Sequence, residues 1–156
     1  MELAQYLKQG FLFNDLANSR MLAKLSTLAD PAECLRIMSH LTNSQFKWMA
    51  RLQGDPISSN MDWWLPQYPL SELPGKWQAS LQPWLDYLDG STDETLQKEV
   101  RFPGYDGTPF GATPAAIAQQ LIYHSVHHRA QMQMIIRQQG VEPDFIDYIG
   151  TQYRRL

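Results

Sequence analysis

Three of the chain's four histidines fall inside the short run Tyr123 to Gln131, YHSVHHRAQ. His124 and His128 are four apart. On an α-helix that spacing stacks two side chains on one face, one turn apart, where both imidazoles can reach a single ion. The remaining histidine, His40, lies far upstream in a separate amphipathic stretch. A third nitrogen from a facing helix would complete a three-histidine site with one position left open for water or substrate.

The pair sits on the apolar stripe Ile117, Leu121, His124, His128, Met132 and Ile135. A single histidine in such a stripe is most often a structural residue with a hydrogen-bond partner. Two of them at i and i+4 would each need a partner and gain little from one another, which favours a shared ion. His127 is rotated about 100° from His128 on a helix. It is expected at the rim, or as an acid/base group behind the ligands. Arg129 is expected on the helix surface or in an interhelical ion pair, and Gln131 either orients a ligand or satisfies the bundle interior. His40 carries weight as the only other histidine, on a helix that a bundle can set against the last one. If all three converge, imidazole-only ligation suits Zn²⁺, Ni²⁺ or another late divalent ion rather than Ca²⁺ or Mg²⁺.

Apolar periodicity predicts the elements that hold these residues. From Glu2 to about Leu28, Leu3, Tyr6, Leu7, Phe11, Phe13, Leu16, Met21, Leu22 and Leu25 recur at three- and four-residue steps, with Gly10 a soft spot rather than a stop. Asp30, Pro31 and Glu33 predict the N-cap, N1 and N3 of a second helix, which Gly54 ends. A third helical pattern spans Ser71 to Leu88, and Pro83 is expected to kink or split it. A short turn at Thr92 to Leu96 and a hairpin or extended crossover near 99–110 precede the last helix, with Thr113 at N-cap, Pro114 at N1 and Gly140 at C′. Its ~26 residues would span roughly 39 Å. The pattern predicts an all-α four-helix bundle with a long crossover connection, in a single domain over 1–156. The loop at 54–70 carries Trp63, Trp64 and Tyr68 among its prolines, so it is expected to pack over the mouth of a pocket. The tail from Val141, with Phe145, Ile146, Tyr148 and Ile149, is expected to pack back on the body.

Composition narrows the chemistry. A net charge of -3 and scattered Lys and Arg argue against nucleic acid and anionic membrane as partners. No run approaches the ~20 apolar residues of a membrane span. With no basic and apolar leader either, a cytoplasmic protein is the default expectation. Cys34 is the single cysteine, which excludes an intrachain disulfide and a Cys-rich zinc module, and its apolar setting predicts a buried structural thiol. The Met132 to Met134 segment is expected in the core. No nucleophile elbow, P-loop, dinucleotide fingerprint or H-E-x-x-H is present, and a di-iron site would need carboxylate pairs the bundle lacks.

The pattern L-x-x-x-x-H-L-x-x-x-x-x-x-W-M-x-R-L-x-G from Leu35 to Gly54, followed by H-x-x-x-H-R-x-Q from His124 to Gln131, resembles the DinB and YfiT-like superfamily. Ala130 stands where that superfamily usually shows glycine. The resemblance implies a four-helix bundle and a divalent metal held by His40, His124 and His128. It also implies thiol-dependent transfer, as in bacillithiol S-transferases and mycothiol-dependent maleylpyruvate isomerases, acting on a small-molecule substrate. A low-molecular-weight thiol would then occupy the open position, Trp63 and Trp64 would shape the electrophile's pocket, and the chain would form a homodimer. The runner-up expectations are a metal-dependent hydrolase using His127, and a non-enzymatic, metal-stabilised ligand-binding protein.

Overall fold

The computed structural model describes residues 1–144 and 146–155. Four long helices, α1 (Leu3–Leu25), α2 (Ala32–Leu52), α3 (Leu73–Asp89) and α5 (Pro114–Gln138), make a bundle. Between α3 and α5 lie the one-turn helix α4 (Asp93–Gln97) and an antiparallel hairpin of β1 (Val100–Pro103) and β2 (Pro109–Ala112), which sets Phe102 opposite Phe110. The fold is the all-α bundle with a short hairpin that the sequence pattern predicts.

The helix ends follow local chemistry, with two departures. Thr113 accepts from the Ala116 N–H at 3.2 Å and opens α5, and Gly54 and Gly140 take φ of +69° and +75° after α2 and α5. Asp30 caps α2 through the Ala32 N–H at 3.0 Å, but Pro31 stands before the helix rather than at its first position. Glu33 does not reach back to the cap, because its carboxylate forks onto Arg36 at 2.6 and 2.8 Å. α3 is continuous through Pro83, since Leu81, Trp84 and Leu88 around it are all buried and tie that stretch of helix to the core. α1 likewise continues through Gly10. Ile122 of α5 approaches so closely there that a Cβ would meet its Cδ1 at 2.6 Å.

α1 and α2 each pack against α3 and α5 and so occupy opposite corners. Lys8 meets Asp89, Phe11 stacks on Trp84 and Asp15 bonds the Trp77 indole, so α3 runs antiparallel to α1. Asn14 meets Ile122 and Asn18 meets Ser125, so α5 runs parallel to α1. α2 runs parallel to α3, with Met38 in one apolar cluster beside Trp77 and Met49 in the other beside Leu88. Two parallel helices cannot be joined by a tight turn. The 53–72 connection must travel back along the bundle, and it is the long crossover.

One apolar cluster gathers Met21, Leu25, Met38, Leu41, Trp77, Met132 and Ile136, and the other Leu7, Phe11, Met49, Trp84, Leu88, Ile117 and Leu121. Each fully buried leucine contributes roughly 2 kcal/mol to the hydrophobic term. Between the clusters every helix turns polar, with Asn14 and Asn18 on α1, Thr42 to Gln45 on α2, Ser80 on α3, and Ser125, His128 and Arg129 on α5 all buried. Several expected core residues lie outside the core. Tyr6 and Leu16 are exposed while Asn14 and Asn18 point inward, and Met134 is exposed while Met132 is buried. In the tail, Tyr148 packs edge-on against Phe13, but Ile149 is exposed rather than packed on the body; the expected packing of Phe145 lies outside the described residues. No helix of the described residues is long and apolar enough to cross a membrane.

Candidate metal centre

α2 grips the crossover with polar side chains at four-residue steps. Ser39 Oγ accepts from the Tyr68 N–H at 2.9 Å, Asn43 donates to the Pro66 carbonyl at 3.0 Å, and Lys47 donates to the Met61 carbonyl. Asp62 accepts from the backbone N–H groups of Trp64 and Leu65 at 2.6 and 3.0 Å, closing a tight bend. These bonds fix the backbone of Trp63 and Trp64 over His40.

The antiparallel pairing of α2 with α5 brings His40 against the pair on the last helix. The ring centroids of His40, His124 and His128 lie 4.8, 4.9 and 4.5 Å apart, and one nitrogen from each ring lies within 4.8 Å of the others. The group consists of histidines alone. His40 Nδ1 lies 2.8 Å from the Trp63 carbonyl oxygen, which only accepts, so the proton is on Nδ1 and the Nε2 lone pair is free. His128 Nδ1 donates in the same way to Gln131 Oε1 at 2.7 Å, freeing its Nε2. His40 Nε2 and His124 Nε2 stand 3.0 Å apart. With the His40 proton on Nδ1, that contact is either an N–H donated by His124 or two lone pairs around a shared cation. Donor type, tautomers and convergence all fit a late divalent ion.

Burial sets the charge state of the site. Desolvation is the largest influence on each ring and pushes all three below the usual histidine range, His124 to about 4. The neighbouring rings and Arg36 add to the effect, while the Trp63 and Gln131 bonds oppose it at His40 and His128. The imidazoles are therefore neutral at neutral pH, the form in which they bind metal.

Trp64 stacks on His40 and also lies 6.1 Å, edge-on, from His128. Trp63 contributes its carbonyl to His40, and its ring turns along α2 toward Trp48. His127 is exposed beside His128 at 5.1 Å, and its Nε2 accepts from the Gln131 amide at 3.3 Å. Arg129 corrects the sequence expectation. It is neither on the surface nor, among the described residues, in an ion pair, but 6 % exposed and bonded to the side-chain oxygens of Asn14 and Asn18 at 3.1 and 3.0 Å. Burial lowers its pKa to about 10. Periodicity missed these asparagines because polar residues on an apolar stripe are legible only once their partner on another helix is known. Cys34 is buried as expected, and desolvation raises its thiol to about 11.

The DinB family model matches residues 29–155, a span that contains all three histidines. No curated protein and no solved structure matches the chain.

Proposed function

The chain belongs to the DinB family, and on that footing we propose that it is a divalent-metal-dependent enzyme, with Zn²⁺ or Ni²⁺ on His40, His124 and His128. Its reaction is transfer of a low-molecular-weight thiol to a small electrophile. The observation that carries this is the convergence of three neutral imidazoles, two with their outer nitrogens tied to Trp63 and Gln131 and their inner lone pairs free. An ion held there supplies Lewis acidity, lowering the pKa of a bound thiol so that thiolate is present at neutral pH.

The chain's own residues do the rest. Trp64 covers one face of His40 and keeps water from it. Cys34 is buried with its pKa raised, so the reacting thiol comes from outside the protein. His127, exposed beside the triad, would pass the released thiol proton to solvent. The thiolate sulfur then forms a bond to the electrophilic carbon, and the leaving group departs with its electron pair.

Elemental analysis of the native protein should find roughly one equivalent of metal per chain, lost in His128→Ala; unchanged metal in that variant overturns the assignment. A panel of thiols with alkylating electrophiles, run beside esters and amides, tests the reaction. A hydrolase is the second reading, favoured by His127 as a base beside the triad that is not itself a ligand. Ester or amide turnover without thiol addition selects it. Metal retention with turnover of neither panel selects a ligand-binding protein.

A further inference from the structure

Lys47 and Arg51 lie seven and eleven residues beyond His40 on α2. At about 100° per residue both fall within roughly 20° of the His40 direction, so the three share one stripe of the helix. Long helical side chains lean toward the helix N-terminus, here toward His40. Both cations are buried, Lys47 at 1 % and Arg51 at 8 % exposure, and none of the ion pairs among the described residues involves either of them.

Aromatic rings surround the two; the carboxylate whose charge reaches Lys47, that of Asp62, makes no ion pair with it and accepts instead from the Trp64 and Leu65 N–H groups. The Arg51 guanidinium carbon sits 4.8 Å from the Trp48 ring, 5.1 Å from Trp63 and 4.9 Å from Phe102. Lys47 Nζ sits 4.5 Å from Trp63 and 5.2 Å from Tyr105. Cation–π contacts recover part of the cost of burying a charge, and they satisfy no N–H. Arg51 Nε is buried with no hydrogen-bond partner among the described residues, whereas Lys47 at least reaches the Met61 carbonyl. Two like charges one turn apart, both desolvated, one with an unmet donor and neither ion-paired among the described residues, form a site whose charge a bound anion would balance.

Trp63 joins this site to the histidines. Its carbonyl accepts from His40 Nδ1, and its ring forms a wall for both Lys47 and Arg51. We propose that Lys47 and Arg51, walled by Trp48, Trp63 and Phe102, bind a carboxylate of the molecule that reacts at the three-histidine site. A carboxylate is favoured because the Nε edge of a guanidinium is a planar fork that matches it bidentately. The substrate class is thus an anionic electrophile carrying an acid group and an apolar or aromatic face. The inference rests on the metal-enzyme reading only for calling that molecule a substrate.

The test uses the full chain stripped of metal with EDTA, benzoate as the anionic probe and benzamide as its neutral counterpart, read by tryptophan fluorescence. Benzoate is expected to bind at least tenfold more tightly than benzamide, to weaken with salt, and to lose at least tenfold in Arg51→Gln. Lys47→Met and Arg51→Lys should weaken benzoate severalfold while leaving benzamide unchanged, and they carry the test if Arg51→Gln does not fold. Equal affinity for the two probes, or benzoate affinity unchanged in the folded variants, overturns the proposal. His128→Ala separates the two ideas. Benzoate binding kept while metal is lost supports both sites, and metal content unchanged in that variant sinks the metal reading without touching the benzoate result.

Discussion

The indole of Trp64 lies face to face with the imidazole of His40, with centroids 3.8 Å apart and planes 11° from parallel. With Nδ1 tied to the Trp63 carbonyl and one face covered by Trp64, the His40 ring has one orientation open to it, and that orientation aims Nε2 at the pair on α5. A crossover loop thus sets the third nitrogen, although the loop contributes no imidazole.

Removing the indole should loosen the site without unfolding the bundle. Trp64→Ala is expected to weaken metal binding about tenfold, in the range seen when groups that orient metal-bound histidines are lost. Competition against a chromophoric chelator measures this, and an unchanged affinity would show that the Trp63 carbonyl alone suffices.

Gln131 plays the same part for His128 from one turn further along α5. Gln131→Leu removes the acceptor for the Nδ1 proton and should cost about 10- to 100-fold in metal affinity. The residue is exposed, so its melting curve without metal should shift by no more than about 0.5 kcal/mol equivalent. A large loss of stability in the metal-free variant would instead make Gln131 a structural residue.

The depressed histidine pKa values predict how the metal-free fold responds to acid. His124 titrates near 4 in the folded chain, against 6.5 for the free side chain. The unfolded chain therefore binds the proton more readily. The stability from keeping this ring neutral is fully present above about pH 6.5 and is lost as pH falls toward 4. The loss is at most about 3 kcal/mol, and less because the ring is only partly buried. Urea melts of metal-free protein between pH 7 and 4 should show the decline, and His124→Gln should flatten it.

Arg129 is a buried cation held by two asparagine oxygens. Arg129→Ala takes the donor from the Oδ1 atoms of Asn14 and Asn18 and opens a void between α1 and α5. The expected cost is about 3 kcal/mol in urea unfolding. Adding Asn18→Leu to that variant should recover part of the loss, because a buried amide without its partner is worse than an apolar side chain of similar size. Additive losses would mean that the two residues do not act together.

Much of this was legible in the chain, where the physics is local. The His124 and His128 pairing follows from the helical repeat, and the Thr113 cap and the glycine stops at Gly54 and Gly140 follow from short-range sterics and hydrogen bonding. The tertiary structure alone decided that His40 completes the group, since this needs α2 antiparallel to α5, a relation imposed by the 53–72 crossover and the two apolar clusters. It alone buried Arg129 with Asn14 and Asn18, because a polar residue on an apolar stripe is stable only where another helix supplies its partner. The Trp63 carbonyl leaves no trace in sequence, since every residue carries one. Lys47 and Arg51 do share a helical stripe with His40 that can be counted from the sequence. Trp48 lies on the same helix, but Trp63 and Phe102 come over that stripe from the crossover and the hairpin, beyond the reach of any local repeat.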